Sequence, residues 1–158
     1  MFDSVDNNIG KICLSLEKYY DVRTGRIGVK SRPVLIIGYE KSYKTPQDVD
    51  YELLPISRIK NFNPDEHYDI FLDEEKIKNL GLNYLSYVRT HKTTWNHCKH
   101  MRIESPIGDL KHTYPDLFEE ILLKNVDWVK SRTNFSLSEE DVEENVEEDV
   151  MEPETHFK

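Results

Sequence analysis

The chain has 158 residues, of which 37% are hydrophobic, and this size fits one folded domain with a short appendage. It contains no run of about 18 apolar residues, so the sequence predicts no membrane-spanning helix. The first residues, MFDSVDNNIG, lack the basic and apolar pattern of a secretory signal, which predicts a cytoplasmic protein. Cys13 and Cys98 are too few for a disulfide framework, and two reduced thiols are the simpler interpretation.

The formal net charge of -9 at pH 7 comes from the C-terminal segment. Residues 136–158 hold ten of the 30 acidic residues and one of the 21 Lys and Arg residues, so residues 1–135 are neutral as a group. A neutral domain can still carry a local basic cleft, and nucleic acid therefore stays open as a ligand.

Composition also divides the chain into a domain, residues 1–135, and an acidic tail, residues 136–158. The tail has too little apolar surface to order itself, so we predict that it is disordered. Val142, Val146 and Val150 recur every four residues, which leaves open a helix formed against a partner.

The N-terminal half of the chain predicts strands separated by polar turns. Residues 9–20 (IGKICLSLEKYY) place Ile12, Leu14 and Leu16 on one face at a period of two, which indicates a strand. Residues 21–31 (DVRTGRIGVKS) combine two glycines with basic side chains, which predicts a flexible basic loop.

The next segments continue this pattern. Residues 33–38 (PVLIIG) are a continuous apolar run, which predicts a buried strand. Residues 51–59 (YELLPISRI) predict another strand, in which Pro55 indicates an edge or a bulge. Residues 69–73 (DIFLD) predict a short strand, and the EEKIKNLGL segment after it predicts a helical turn that ends at its glycine.

The C-terminal half of the domain predicts one more strand and a helix. Residues 84–95 (YLSYVRTHKTTW) alternate as one strand, and the HCKHMRIESPIGDLK segment is irregular with room for one further strand. Residues 114–130 have apolar side chains near helical spacing and Pro115 in the first turn, which predicts a helix. The fold class is therefore mainly β, a strongly bent sheet or half-open barrel with a C-terminal helix.

Polar clusters lie in or at the end of several predicted strands. If neighbouring strands bring them together, they form a patch suited to a phosphodiester: Arg offers a fork to phosphate, His transfers protons near neutral pH, and hydroxyls donate hydrogen bonds. The clusters are Arg32, Ser57 with Arg58, and the run Arg89, Thr90, His91, Lys92, Thr93 and Thr94. The aromatic residues that suit stacking on unpaired bases are Tyr19, Tyr20, Tyr87 and Trp95.

Each of these residues also has a structural interpretation. A lone Arg before a buried strand is most often a partner in a surface salt bridge. A lone His in a strand is most often hydrogen-bonded within the fold. The run from Arg89 to Thr94 favours a functional interpretation more than the others, because phosphate sites need converging donors.

The segment KSRPVLIIG, residues 30–38, resembles the PemK/MazF family of toxin endoribonucleases. Members of that family begin with a G-[DE]-[IV] strand and continue through a flexible loop to K-x-RP and an apolar strand. Here these positions hold GKI at 10–12, the loop DVRTGRIGVK, and KSRP. The family's next strand ends with a hydroxyl residue that faces the site, and LLPISRI offers Ser57. SYVRTHKTT and YPDLFEEILLKNV follow in the family's order, so the resemblance covers roughly residues 9–130.

The resemblance implies a curved SH3-like barrel of the PemK/MazF and CcdB type, which forms a homodimer with an RNA groove at its interface. It implies a cytoplasmic toxin of a type II toxin-antitoxin system that cleaves single-stranded mRNA, has a cognate antitoxin as partner, and needs no metal or other cofactor. The 2′-hydroxyl attacks the neighbouring phosphate, which gives a 2′,3′-cyclic phosphate and a 5′-hydroxyl end without a protein nucleophile.

The same resemblance, together with this chemistry, gives roles to individual residues. Arg32 grips the scissile phosphate and stabilises the transition state, and Ser57 hydrogen-bonds the phosphate or the 2′-hydroxyl. Proton transfer is also needed, and His91 is the predicted general acid or base. The predicted RNA-binding residues are Lys30, Arg58, Arg89, Lys92 and Thr93.

Two other functions stay open. Lys11 stands where the family has an acid, and no Glu lies in the loop before Lys30, so a non-catalytic RNA- or protein-binding module on the same fold is the alternative. The other is a zinc-dependent protein that uses His97, Cys98 and His100, although the paired spacing of common zinc motifs is absent. In either enzyme or module, the acidic tail is a candidate to cover the RNA groove or repel nonspecific RNA.

Overall fold

The structure is a computed structural model, and it describes residues 4–132, without the side chain of residue 61. The chain divides into two compact units, Met1–Trp128 and Val129–Lys158. Of the second unit, only the first few residues belong to the described part. The predicted acidic tail, residues 136–158, and the predicted domain end at residue 135 lie outside the described residues.

The described chain is mainly β with a C-terminal helix, as the sequence predicts. Three short 3-10 turns, Val5–Asn8, Ile59–Asn61 and Cys98–His100, accompany the regular elements. In chain order these elements are β1 (Lys11–Asp21), β2 (Arg26–Tyr39), β3 (Asp50–Arg58), β4 (Asp69–Leu72), α1 (Glu74–Asn79), β5 (Ser86–Arg89), β6 (Thr94–His97), β7 (Gly108–Asp109), α2 (Leu110–Thr113) and α3 (Pro115–Ser131).

All strands belong to one antiparallel sheet in the order β4-β5-β3-β2-β1-β7, and β6 pairs with β3 as well. The sheet curls into a half-barrel, because β6 and the segment after it contact β1. Asn96 Nδ2 donates to Ser15 Oγ at 2.8 Å and to the Leu16 carbonyl at 2.9 Å. Met101 forms an isolated bridge with Ser15, and the Arg102 amide donates to the Leu14 carbonyl at 2.8 Å.

The curl gives the sheet a buried core on each face, which explains why PVLIIG is apolar without alternation. Val34 and Ile36 point into a core inside the curl, whereas Leu35, between them, points into the core under the helices. The helix-side core is Ile12, Leu35, Leu54, Ile56, Ile70, Leu72, Ile77, Leu80, Val88, Leu110, Phe118 and Ile121. The inner core is Val5, Cys13, Val34, Ile36, Val49, Tyr51, Leu53 and Met101.

The sequence predicts an edge or a bulge at Pro55; β3 lies in the interior of the sheet, so the edge is wrong, and the register shift in the ladder with β2 lies between Ile36 and Gly38 instead. On one side β3 pairs with β6 up to Leu53 and with β5 from Ile56 onward. Pro55 falls between these two ladders, where β3 changes its neighbour. On the other side the ladder between β2 and β3 ends at the pair Val34–Pro55.

The predicted flexible loop at residues 21–31 is instead the outer half of a long hairpin. Strands β1 and β2 pair without interruption out to Asp21 and Arg26, and Gly25 supplies the positive φ of 66° that the tight turn requires. Composition misled the prediction, because the outer hairpin has no core to make its strands apolar. The exposed apolar side chains on one of its faces are Leu16, Tyr20, Ile27 and Val29.

The predicted strand at residues 84–95 is broken into β5 and β6 by a turn. A long-range contact fixes this turn: Asn125 Nδ2, from α3, donates to the Thr90 carbonyl at 2.9 Å and to Thr93 Oγ1 at 2.8 Å. Thr90 is buried, and its own hydroxyl donates to the Tyr68 carbonyl at 2.6 Å. No local pattern in the sequence reveals this partner, 35 residues away.

The predicted helix at residues 114–130 is confirmed as α3, with Pro115 as its first residue and Phe118, Ile121 and Asn125 buried. No helix in residues 4–132 is long and apolar enough to cross a membrane. Both cysteines are free thiols, and burial raises the pKa of Cys13 to about 12.

Replacement of the buried amide tests how the β5–β6 turn is held. Asn125→Ala removes two donors and leaves the buried Thr90 carbonyl without its partner, so we expect the free energy of unfolding to fall by about 1–3 kcal/mol. Urea denaturation measures this change. Glu119→Ala, at an exposed position of the same helix, is the matched control, and equal stabilities of the two variants contradict the assignment.

Candidate functional site

A cleft opens where β2 and β3 separate. Beyond the last pair, Val34–Pro55, β2 continues outward with β1 while β3 continues with β5. Side chains two residues apart share a face of a strand, so Arg32 and Ser57 occupy the first positions on the same face beyond this divergence. We call the opening the fork cleft; its volume is about 490 Å³, within the rough range of 300–1,000 Å³ that is usual for ligand sites.

The lining of the fork cleft is cationic on an apolar base. Its neutral polar residues are Ser31, Ser57, Asn83, Tyr84 and Ser86. Its apolar residues are Leu14, Pro33, Ile56, Leu82 and Ile107. Its charged residues are Lys30, Arg32 and Arg58, and no Asp or Glu of the described chain lines it.

The three cations of the fork cleft have no carboxylate partner within residues 4–132. Ion pairs form elsewhere in that range, for example between Lys76 and Asp73 at 3.1 Å, but none reaches Lys30, Arg32 or Arg58. In a domain with equal numbers of acids and bases, unpaired cations gathered in one cleft create a local positive potential. The cleft is therefore built to attract an anion.

Aromatic rings hold these cations in place of carboxylates. Lys30 Nζ lies 4.5 Å from the centroid of the Tyr19 ring and Arg32 Cζ lies 5.9 Å from it, at cation–π distances. The Tyr19 ring lies across Gly28, where an added Cβ would meet the ring at 2.6 Å. A glycine is thus required for this ring to lie beside Lys30 and Arg32. Arg58 is held in the same way by Tyr84, at 3.5 Å.

A carboxylate that the sequence analysis missed lies on the same face as Arg32. Glu17 pairs with Lys30 across the hairpin, and the next pair on that face is Ser15 with Arg32. Oε1 of Glu17 is buried and accepts no hydrogen bond from residues 4–132. The sequence gave no sign that Glu17 is partly buried, because a Glu on an exposed hairpin strand is usually solvated.

The predicted RNA-binding residue Arg89 lies outside the fork cleft. It neutralises the fully buried carboxylate of Asp69, with Nε 3.2 Å from Oδ1. The Asp65 amide donates to the other carboxylate oxygen of Asp69 at 2.7 Å. A buried carboxylate needs such a partner, so Arg89 has a structural task in addition to any contact with a ligand.

The predicted general acid or base, His91, lies near the same carboxylate and also outside the fork cleft. Its side chain is 10% exposed, with Nδ1 at 3.7 Å from Asp69 Oδ1, and its ring packs against the rings of Tyr68 and Trp128. Burial lowers the pKa of His91, and Arg89 and Lys92 lower it further, while Asp69 and Asp65 oppose them. The imidazole is therefore neutral at pH 7.

The remaining predicted residues lie in the turn beside His91. Thr93 Oγ1 accepts a hydrogen bond from the side-chain amide of Asn125, which fixes the Thr93 hydroxyl within the fold. Lys92 is exposed. The structure thus gathers Lys30, Arg32, Ser57 and Arg58 in one cleft, and it places Arg89, His91, Lys92 and Thr93 at the end of β5.

The geometry of the described residues does not support the zinc-dependent alternative. Within residues 4–132, no group of three or more His, Cys, Asp or Glu side chains is arranged to hold a metal ion. His97 Nε2 pairs with Asp48 at 2.8 Å, and its Nδ1 accepts the Lys99 amide at 3.0 Å. Both ring nitrogens of His97 therefore already have partners within the fold.

Comparison with known proteins adds no assignment. No protein-family model and no curated protein matches the sequence. A function for this chain therefore has to come from the chemistry of the fork cleft and from the resemblance at residues 30–38.

The buried imidazole of His91 predicts a pH dependence of stability. Its pKa is lowered in the folded state, so below the unfolded value of about 6.5 the unfolded chain binds more protons. We expect His91 to destabilise the wild type as pH falls through about 6.5, and the effect to level off below the folded pKa. His91→Gln removes this contribution.

Urea denaturation at pH 7.5 and pH 5.5 measures the contribution of His91 to the pH dependence of stability. The free energy of unfolding should drop less in His91→Gln than in the wild type between these two pH values. His112→Gln, at an exposed position, is the matched control and should drop as the wild type does. An identical drop in all three proteins contradicts the assignment.

Proposed function

We propose that this protein is a metal-independent endoribonuclease that cleaves single-stranded RNA in the fork cleft. The observation that carries the proposal is the set of three cations, Lys30, Arg32 and Arg58, in a cleft where no Asp or Glu of residues 4–132 pairs with them or lines the wall. A polyanion with flat unpaired bases is the ligand that such a lining suits best, since the cations lie beside the rings of Tyr19 and Tyr84.

Arg32 and Ser57 are the residues that hold the reacting phosphate in this proposal. Attack by the 2′-hydroxyl adds negative charge to the phosphorus centre, and a guanidinium without a carboxylate partner stabilises that charge. The hydroxyl of Ser57, which lines the cleft, donates to a phosphate oxygen. Lys30 binds a flanking phosphate, and the rigid pairing of β1 with β2 fixes the backbone of both basic residues.

Proton transfer has two candidate groups in the proposal. Glu17 lies on the same face as Arg32, but its oxygen Oε1 is buried and the residue does not line the fork cleft, so it can accept the proton of the 2′-hydroxyl only after its side chain turns toward the bound RNA. His91 keeps the role predicted from the sequence, but it does not line the fork cleft. His91 can take part only if the bound RNA extends beyond the cleft. The RNA would have to run from Ser57 past Tyr87, the residue that pairs with Ser57, and then along β5.

The biological setting of the proposal rests on the resemblance. It makes the chain a cytoplasmic toxin of a toxin-antitoxin system, folded as an SH3-like barrel of the PemK/MazF type, which acts on mRNA as a homodimer. The curled half-barrel with its C-terminal helix is compatible with that fold. The exposed apolar face of the hairpin, with Leu16, Tyr20, Ile27 and Val29, is a surface that an antitoxin or a second copy can cover.

A non-catalytic RNA-binding module is the second candidate. The observation that favours it is the absence of any His, Asp or Glu from the lining of the fork cleft within residues 4–132. A cleft of this composition binds phosphates without moving a proton. The two candidates share the ligand and differ in whether new RNA ends form.

Cleavage of a long unstructured RNA in EDTA tests the enzyme. We expect fragments with 2′,3′-cyclic phosphate and 5′-hydroxyl ends, and no cleavage of a 2′-deoxy substrate because it lacks the attacking group. Arg32→Ala should slow cleavage by about 100-fold or more, as the loss of one transition-state donor does. Glu17→Gln and His91→Gln, in the same assay, identify the group that transfers the proton.

Arg102→Ala is the matched control, because it removes an exposed arginine that does not line the cleft. It should cleave as the wild type does. Equal rates for Arg32→Ala and wild type overturn the site. RNA binding without cleavage by the wild type overturns the enzyme and favours the binding module.

A further inference from the structure

The stack of Arg58 on Tyr84 is a feature of the fork cleft that the proposed chemistry leaves unused. Arg58 Cζ lies 3.5 Å from the centroid of the Tyr84 ring, the distance of direct stacking contact. Both residues line the cleft, and the Tyr84 residue is 53% exposed. The stack therefore contributes a planar surface to the lining of the cleft.

Backbone and side-chain contacts fix both partners of this stack. Arg58 pairs with Ser86 in the ladder between β3 and β5. Ser86 Oγ donates to the Tyr84 carbonyl at 2.7 Å, and the Ile59 amide donates to the Leu85 carbonyl at 3.1 Å. The two residues that carry the stack are thus held at the paired ends of neighbouring segments, although the ring itself is half exposed.

A second arginine in the same sheet shows what is unusual about Arg58. Arg89 also stacks on an aromatic ring, with Cζ 4.0 Å from the centroid of Phe62, but its guanidinium is neutralised by Asp69. Arg58 has the same kind of aromatic support and no carboxylate within residues 4–132. Its N–H edge is therefore available to a ligand, and one of its two planar faces is already covered by Tyr84.

A supported guanidinium of this kind suits a nucleobase. Its uncovered face stacks on an aromatic plane, and its edge donates to the carbonyl and ring-nitrogen acceptors of a base. The neighbouring Asn83, which lines the cleft and is exposed, adds one amide donor and one acceptor. A phosphate is also a possible partner, but Lys30 and Arg32 already supply charge and donors for phosphates nearby.

We propose that Arg58, Tyr84 and Asn83 form a base subsite of the fork cleft, which takes one unpaired nucleobase of the bound RNA. The inference rests on the proposed function for its ligand, single-stranded RNA, and adds a specific contact to it. The base stacks on the Arg58 face opposite Tyr84, one residue along β3 from the phosphate ligand Ser57. Tyr84 is a positioning residue that keeps the guanidinium plane in place.

Binding of a short, unstructured 2′-fluoro RNA, which lacks the attacking hydroxyl, tests the subsite by fluorescence anisotropy. Stacking on one base contributes about 1–3 kcal/mol, and without the Tyr84 ring the guanidinium plane that carries this contact is no longer held, so Tyr84→Leu should raise the dissociation constant roughly 5- to 150-fold. Tyr84→Phe keeps the ring and is the matched control, with wild-type binding expected. Arg58→Lys keeps the charge but loses the planar fork, so it should weaken binding as Tyr84→Leu does.

Oligonucleotides with a single abasic position, moved along the sequence, separate base from phosphate binding. One abasic position should weaken binding by the wild type but leave binding by Tyr84→Leu unchanged, because the contact is already lost. Abasic positions that weaken both proteins equally overturn the subsite, as does wild-type affinity in Tyr84→Leu.

The same experiment distinguishes failure of the base subsite from failure of the proposed RNA-directed function. Failure of the wild type to bind the 2′-fluoro RNA at all overturns both the subsite and the RNA-directed function. Wild-type binding without any coupling between Tyr84 and an abasic position overturns the subsite alone. Folded states of the variants are checked by circular dichroism, and the exposed position of Tyr84 predicts that they match the wild type.

Discussion

The ladder between β2 and β3 ends at Val34–Pro55, and the site depends on that ending. Pro33 precedes this pair and Pro55 belongs to it, and neither has an N–H group to donate to a neighbouring strand. Beyond this point β2 stays with β1 and β3 stays with β5, so the two strands separate and leave a cleft between them. The basic residues before Pro33 line that opening.

Carboxylate partners distinguish two basic residues of the described chain from the three cations of the fork cleft. Arg89 and Lys76 have carboxylate partners and stabilise local structure, whereas Lys30, Arg32 and Arg58 have aromatic ones. Aromatic support orients a cation without cancelling its charge, so the field of the cleft remains positive in a neutral domain. The fork cleft differs in this respect from the end of β5, where Asp69 neutralises the charge of Arg89.

The sequence predicted what depends on local pattern and missed what depends on distant contacts. The apolar run at residues 33–38 indicated a buried strand because both faces of β2 meet a core there, and Pro115 marked the start of α3. The outer hairpin was missed because exposed strands lack an apolar signature. The turn between β5 and β6 depends on Asn125, and the role of Tyr84 depends on a ladder that brings it to Arg58. Neither contact leaves a trace in local periodicity.

The structure of the protein bound to a 2′-fluoro RNA oligonucleotide tests the central claim most directly, because it locates the phosphates without cleavage. We expect one phosphate within hydrogen-bond distance of both Arg32 and Ser57, with the RNA chain passing between β2 and β3. RNA bound elsewhere, for example along the end of β5 beside His91, with the fork cleft unoccupied, would contradict it.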